Sequence, residues 1–229
     1  MKRVNEWEKL ANQVGIQKTK NDVLNTKVIS LVKEYAPEGT YAFDYGCGWG
    51  EFAQLLSDEG YKTFAFDQSD EMIKNAKNKF SEPIFLFRRE FENGACYYLR
   101  TAIYDVVVSN LVLCILTEKD QEEMLKNIKS LVKSNGTIVL SFCHPCFDYH
   151  EESFTSIRKA PSDARYDKEF EYEKEIKENG MKFHDFHRSL SYYSNIFKKN
   201  DLAIIEISES ELFGSLFYPD FITFVLKKK

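Results

Sequence analysis

The segment Tyr41 to Glu51, Tyr-Ala-Phe-Asp-Tyr-Gly-Cys-Gly-Trp-Gly-Glu, constrains this chain more than any other stretch. A β-prone run ends at Asp44, glycines alternate at 46, 48 and 50, and a helix-forming run opens at Glu51. Glycine tolerates positive φ and lets a ligand approach the backbone where a Cβ would block it. Strand, glycine turn and helix in that order therefore cradle a nucleotide. The spacing discriminates among nucleotides. A dinucleotide fingerprint G-x-G-x-x-G, counted from Gly46 and Gly48, needs its third glycine at position 51, which is glutamate. The pattern that stands here is D-x-G-x-G-x-G.

The remainder of the chain alternates between the two periodicities. Residues 5 to 35 carry two helical patterns, Trp7, Leu10, Ala11 and Val14, then Val23, Leu24, Val28, Ile29, Leu31 and Val32, with Asp22 a candidate cap and Pro37 and Gly39 as stops. Further strands are predicted at Tyr61 to Asp67, Ile84 to Phe87, Tyr104 to Asn110, Thr137 to Phe142, Leu202 to Ser208 and Phe221 to Leu226. Helices capped by Ser69 and Thr117 lie between them, and Asn135-Gly136 marks a turn into the fifth strand. Strands alternating with helices predict a doubly wound, mostly parallel α/β sheet of seven strands in a single domain over residues 1 to 229. Residues 143 to 186 interrupt that rhythm. Charged and aromatic together, they predict a lid inserted after the fifth strand.

The order of landmarks resembles the class I S-adenosylmethionine-dependent methyltransferases, over about residues 20 to 145 and again in the closing strands. The segment Asp44 through Gly50 is similar to that family's first motif, which implies that Asp44, Gly46, Cys47, Gly48 and Gly50 wrap the amino-acid part of S-adenosyl-L-methionine. Asp67, ending the second strand, resembles the acid that grips the ribose diol, for which a carboxylate accepting two hydrogen bonds is well suited. Gln68 and Met72 correspond to groups around the adenosine, and Asn110 and Leu111 to the floor beneath the methionine moiety. After the third strand the family places an acid and a small residue on the adenine amino group. Here the chain reads Phe87-Arg88-Arg89-Glu90-Phe91, which departs from that pattern and leaves Glu90 as the nearest candidate.

The resemblance implies a methyl donor, and the acceptor must be sought elsewhere. Methyl transfer from a sulfonium requires an aligned nucleophile, exclusion of water and, for a protonated nucleophile, a base. Candidates stand in Cys143-His144-Pro145-Cys146-Phe147 and in Phe183-His184-Asp185-Phe186-His187-Arg188, the latter similar to segments of the ubiquinone-biosynthesis-like group that fold over a substrate. His144 and His187 are the candidate proton acceptors. Tyr149, Arg188, Tyr192 and Tyr193 are the candidate substrate contacts. Cys143 and Cys146 with His184 and His187 would alternatively supply four ligands to zinc, although the long spacer makes this a loose match and no metal is expected.

A chain of 229 residues with a net charge of -5 offers no general attraction to phosphate backbones. A small-molecule acceptor is expected, without a nucleic-acid partner. Ser109-Asn110-Leu111-Val112 lacks the Pro-Pro-aromatic motif of amino-directed nucleic-acid enzymes. Two alternatives stay open: an RNA or protein methyltransferase, and a cofactor-binding protein without turnover. Neither a signal peptide nor a membrane span is expected. Five cysteines without regular spacing fit a reducing cytoplasm, where the protein would act as a monomer or homodimer.

Overall fold

The structure is a computed structural model describing residues 4–14, 18–36, 40–80, 83–87, 102–212 and 217–229. Glu90, Pro37 and Gly39 lie outside the described residues. In chain order the elements are α1 (Val4–Val14), α2 (Lys18–Lys20), a π-helical turn (Asn21–Asn25), α3 (Thr26–Tyr35), β1 (Tyr41–Tyr45), α4 (Glu51–Asp58), β2 (Lys62–Asp67), α5 (Asp70–Lys79) and β3 (Ile84–Phe87). Then follow β4 (Tyr104–Asn110), α6 (Glu118–Leu131), β5 (Val132–Cys143), β6 (Ser156–Lys159), β7 (Phe170–Ile176), β8 (Lys182–His187), α7 (Leu190–Lys199), β9 (Leu202–Glu209) and β10 (Phe221–Lys228).

The described strands form one seven-stranded sheet in the order β3-β2-β1-β4-β5-β10-β9 and a separate antiparallel sheet, β6-β7-β8. Strands β3 through β5 pair in parallel, while β10 runs antiparallel to both β5 and β9. The order reverses between β1 and β4, so two crossovers diverge there and open a crevice at the strands' carboxyl ends.

Alternation along the central strands divides the core in two. Phe43, Tyr45, Val107, Ile138, Leu140 and Phe142 face α6 and α7, meeting Met124, Leu125, Ile128, Ile196 and Phe197. Ala42, Val106, Val108 and Val139 face α3 and α4, meeting Val28, Val32, Phe52 and Leu56. Each such side chain removed from water contributes about 1.5–3 kcal/mol. Thr117 and Ser69 cap α6 and α5 as their positions suggest, accepting from the N–H groups of Asp120 and Met72.

Three local expectations change. Asp22 lies inside the π-helical turn and caps nothing, because the helical backbone runs on from α2 into α3. Asn135-Gly136 lies within β5, in an irregularity opposite β4 where pairing steps from Tyr104↔Val132 to Val106↔Thr137. A Cβ on Gly136 would stand 3.0 Å from the carbonyl oxygens of Tyr104 and Asp105, so the strands close there only on glycine. The segment after β5 carries the three strands β6, β7 and β8, with inward Tyr172, Lys174 and Ile176 alternating with less buried neighbours along β7.

Candidate active site

The glycine segment is held against β2. Gly46 and Cys47 both donate backbone N–H groups to the Phe66 carbonyl, at 2.7 and 2.9 Å. Gly46, Gly48 and Gly50 all take positive φ, at 82°, 53° and 81°. Their surroundings separate their roles. A Cβ on Gly46 would lie 2.4 Å from Val112 Cγ2, and one on Gly50 would lie 2.7 Å from the Phe85 ring, whereas one on Gly48 would meet nothing within 4 Å. Gly46 and Gly50 keep the turn packed, and Gly48 leaves its backbone open toward a ligand.

That opening belongs to a cavity of about 270 Å³ over the carboxyl ends of β1, β2 and β4. Asp44, Gly46, Cys47, Gly48, Asp67, Gln68, Met72, Asn110 and Leu111 all line it. Gly50 stands behind the turn, against Phe85 and Ala76. Asp67 is oriented by the turn itself, its two carboxylate oxygens accepting from the N–H groups of Gly48 and Ser69 at 2.9 Å each. Desolvation raises its pKa, with those backbone bonds opposing. Leu111 adopts φ 60°, an unusual backbone for leucine, and its N–H donates to the Ser141 carbonyl at 2.7 Å.

Polar capacity is left over in this crevice. Asp44 Oδ2 and both side-chain heteroatoms of Asn110 are buried without a hydrogen-bond partner among the described residues. Groups of that kind normally find a partner, so they mark where a polar ligand fits. Burial first, and then the neighbouring Asp67, push the Asp44 carboxyl up to about 7. Lys20 also lines the cavity, its Nζ 4.0 Å from Glu51 Oε2, and desolvation lowers its pKa against the pull of Glu51 and Asp44. A carboxylate and an ammonium facing one space match an α-amino acid group, and a carboxylate rooted in backbone donors at the end of β2 matches a diol. The crevice therefore fits the aminoacyl nucleoside that the first motif implies.

The small sheet and α1 close the opposite side. Thr155, Lys174, Ile176, Met181, Phe183 and Asp185 line the cavity from the insertion, and Trp7 lines it from α1, its ring 5.3 Å from that of Phe183. Helix α1 is tied to the glycine turn and to α5. Trp49 Nε1 donates to the Ala11 carbonyl at 2.8 Å, and Glu8 accepts from the first N–H groups of α5 at Asp70 and Glu71. Behind the wall, Lys174 Nζ is 2.7 Å from Cys143 Sγ and 3.2 Å from Asp185 Oδ2. Burial works to lower the Lys174 pKa, and the negative partners Cys143 and Asp185 outweigh it and hold it raised. The hydrogen bond from Cys114, and then Lys174, draw the Cys143 thiol down against burial.

The residues expected to act on the acceptor sit elsewhere, and none is among the described lining residues. His144 lies past the end of β5 with Nε2 2.8 Å from Glu209 Oε1, and desolvation lowers its pKa against that partner. His187 is fully buried, Nδ1 3.1 Å from Asp148 Oδ2 and Nε2 2.9 Å from the Tyr166 carbonyl, so both ring nitrogens are engaged. Arg188 forks onto Glu169 at 3.0 and 3.1 Å. Tyr192 donates to Gln121 Oε1, Tyr193 is buried against Phe142, and Tyr149 stands exposed. His144 turns away toward Glu209 at the end of β9, and His187 and Arg188 fall at the end of β8, past Phe183 and Asp185, which do line the cavity.

The four residues weighed as zinc ligands do not converge either. Cys143 faces Lys174, Cys146 Sγ lies 3.9 Å from the Tyr166 hydroxyl, and His184 is on the outer face of β8. Among the described residues Cys114, Cys143 and Asp185 cluster within 4.8 Å, with the Lys174 ammonium beside them.

A general methyltransferase domain model matches residues 43–140, the span from β1 into β5. Over that span the chain is similar to the methyltransferase domain family. Carboxy-S-adenosyl-L-methionine synthase from Shewanella pealeana is 25% identical over 123 residues, which is 52% of this chain and 50% of that protein. The chain thus spans about half the length of the curated relatives it matches. The structure of a S-adenosylmethionine-dependent methyltransferase from Clostridium acetobutylicum shares the fold with a TM-score of 0.62 at 16% identity, covering 99% of this chain and 98% of the other. The glycopeptide N-methyltransferase MtfA, solved with sinefungin, superposes with a TM-score of 0.65 at 13% identity over 90% of this chain and 94% of its own.

The glycine turn and the acid ending β2 form a recognisable motif, so that side of the cavity was legible, and the opposite side was not. Lys20, Trp7, Lys174, Met181 and Asp185 carry no recognisable spacing to the glycine motif. One available signal was the inward alternation of Tyr172, Lys174 and Ile176, which places a lysine where an apolar residue belongs.

Proposed function

We propose that this chain transfers the methyl group of S-adenosyl-L-methionine to an oxygen, nitrogen or carbon nucleophile of a small molecule. The observation that carries the small-molecule reading is the enclosure of one cavity by the glycine turn on one side and by the small sheet and Trp7 on the other. A macromolecular acceptor needs an open approach. When bound, the cofactor supplies the electrophilic methyl group. Asp67 holds the ribose hydroxyls, Asp44 the ammonium and Lys20 the carboxylate, with Cys47 and Gly48 alongside, Asn110 and Leu111 beneath, and Gln68 and Met72 at the adenosine side. Residues 143–186 act as a lid within a single domain, excluding water from the crevice. The net charge of -5 supports an acceptor other than nucleic acid. We place the protein in the cytoplasm as a monomer or homodimer.

Radiolabelled methyl transfer into fractionated cell extract tests this. Label should appear in the small-molecule fraction. Label confined to RNA or protein refutes the acceptor class, and cofactor binding with no label in any fraction of a native extract points to a binding protein without turnover.

A further inference from the structure

The small sheet presents one charged group to the cavity with hydrogen-bonding capacity to spare. Asp185, on β8, is fully buried and lines the cavity. Its Oδ2 is crowded, with Lys174 Nζ at 3.2 Å, the Tyr172 hydroxyl at 3.3 Å and Cys143 Sγ at 3.8 Å. Its Oδ1 has no partner among the described residues. The same cavity is lined by the apolar side chains of Trp7, Ile115, Ile176, Met181 and Phe183, alongside Lys174 and Thr155.

A buried carboxylate oxygen without a donor is costly, and the pairing on Oδ2 shows that the surrounding protein does supply donors where they are wanted. Lys174 keeps the carboxylate oriented and balanced in charge without reaching its second oxygen. Asp185 belongs to the small sheet, whereas the other spare groups of this cavity, Asp44 and Asn110, lie on strands of the main sheet. The spare acceptor on the roof is thus separate from those that fit the cofactor.

We propose that Asp185 anchors the methyl acceptor by receiving a hydrogen bond at Oδ1, and that the acceptor is a compact, mostly apolar molecule presenting an N–H or O–H donor. This rests on the cofactor-site reading above, because only a cofactor in the crevice leaves the roof side for a second molecule. The apolar wall selects for the body of the acceptor and discriminates little among similar shapes. The carboxylate selects for the donor, since a molecule lacking it buries Oδ1 unpaired.

The test uses the full chain saturated with S-adenosylhomocysteine and two matched probe pairs, phenol against anisole for O–H, and aniline against N,N-dimethylaniline for N–H. Affinities are read by ligand-observed NMR. In the native protein the donor of at least one pair should bind about 10- to 100-fold more tightly than its capped partner, the range for a hydrogen bond to a charged group. The responsive pair identifies the donor atom. Asp185→Asn should erase that preference while leaving S-adenosylhomocysteine affinity unchanged by calorimetry. Equal binding within both pairs, binding of none of the four probes, or a preference that survives in the variant each overturns the proposal. Should the variant fold poorly, the comparison within the native protein decides alone. Failure of the native protein to bind S-adenosylhomocysteine would instead overturn the cofactor-site reading, and the two failures are read separately.

Discussion

At the scale of single residues, Asp44 links the crevice to pH. Its carboxyl is raised from 3.8 to about 7, so between those values the folded protein holds a proton that the unfolded chain has released. That contribution to stability is fully present below 3.8 and is lost as pH rises through about 7. A ligand ammonium favours the ionised form. Affinity for S-adenosylhomocysteine should therefore rise by about tenfold per pH unit on approaching 7 and level off above it. Calorimetry across this range checks the slope, and Asp44→Asn should flatten it. The glycines separate in a second experiment. Gly46→Ala strains a positive φ and drives a methyl into Val112, so it should lower the melting temperature, with backbone strain alone costing about 1–2 kcal/mol. Gly48→Ala meets open space, so beyond its own φ strain the larger loss should appear in cofactor affinity. Equal melting temperatures for the two variants would contradict this division.

At the scale of elements, α1 acts as a strap whose purchase on the molecule is polar. Glu8 serves the exposed N–H groups at the start of α5, adding charge complementarity to the Ser69 cap. Glu8→Gln should cost about 1 kcal/mol at this contact, an amount in keeping with caps and helix-terminus charges. Hydrogen exchange should then show faster opening of α1 with little change in β4 and β5. S-adenosylhomocysteine should slow α1 exchange in the native protein, and unaltered α1 rates on binding would show that the helix does not close the crevice. Elements also show how much was legible in advance. The strands β1 to β5 and the caps at Ser69 and Thr117 follow from periodicity and local hydrogen bonding. The small sheet did not, because antiparallel strands in a charged segment leave alternation too weak to separate from an irregular lid. The site divides in the same way. Asp44, Gly48 and Asp67 fall within one continuous strand-turn-helix-strand unit, whereas His144 and His187 were chosen for chemistry without knowledge of which way the segment turns.

At the scale of the whole molecule, the Lys174, Cys143 and Asp185 group joins the small sheet to the end of β5. Lys174 and Asp185 are 4% and 1% exposed, so their energy depends on mutual pairing. Lys174→Met removes one partner and leaves buried negative groups uncompensated, and should destabilise by about 3–5 kcal/mol in urea denaturation. The double substitution Lys174→Met with Asp185→Leu should recover much of that loss, because an apolar pair needs no compensation. A single variant as stable as the native protein would mean that the pair is not what holds the roof.

The sequence alone determined the alternation of strands and helices in a mostly parallel sheet, and the glycine turn. Those features arise from local rules: period-two burial, helix caps, and the positive φ and open approach that glycine favours. Only the tertiary structure decided which side chains face the crevice. Lys20, Trp7, Lys174 and Asp185 come from segments distant in the chain, and their orientation depends on how the small sheet and α1 pack over the strand ends. The histidines that looked reactive in the sequence are engaged by Glu209, Asp148 and the Tyr166 carbonyl. Hydrogen-bond satisfaction is a property of the folded surroundings, and no spacing along the chain encodes it.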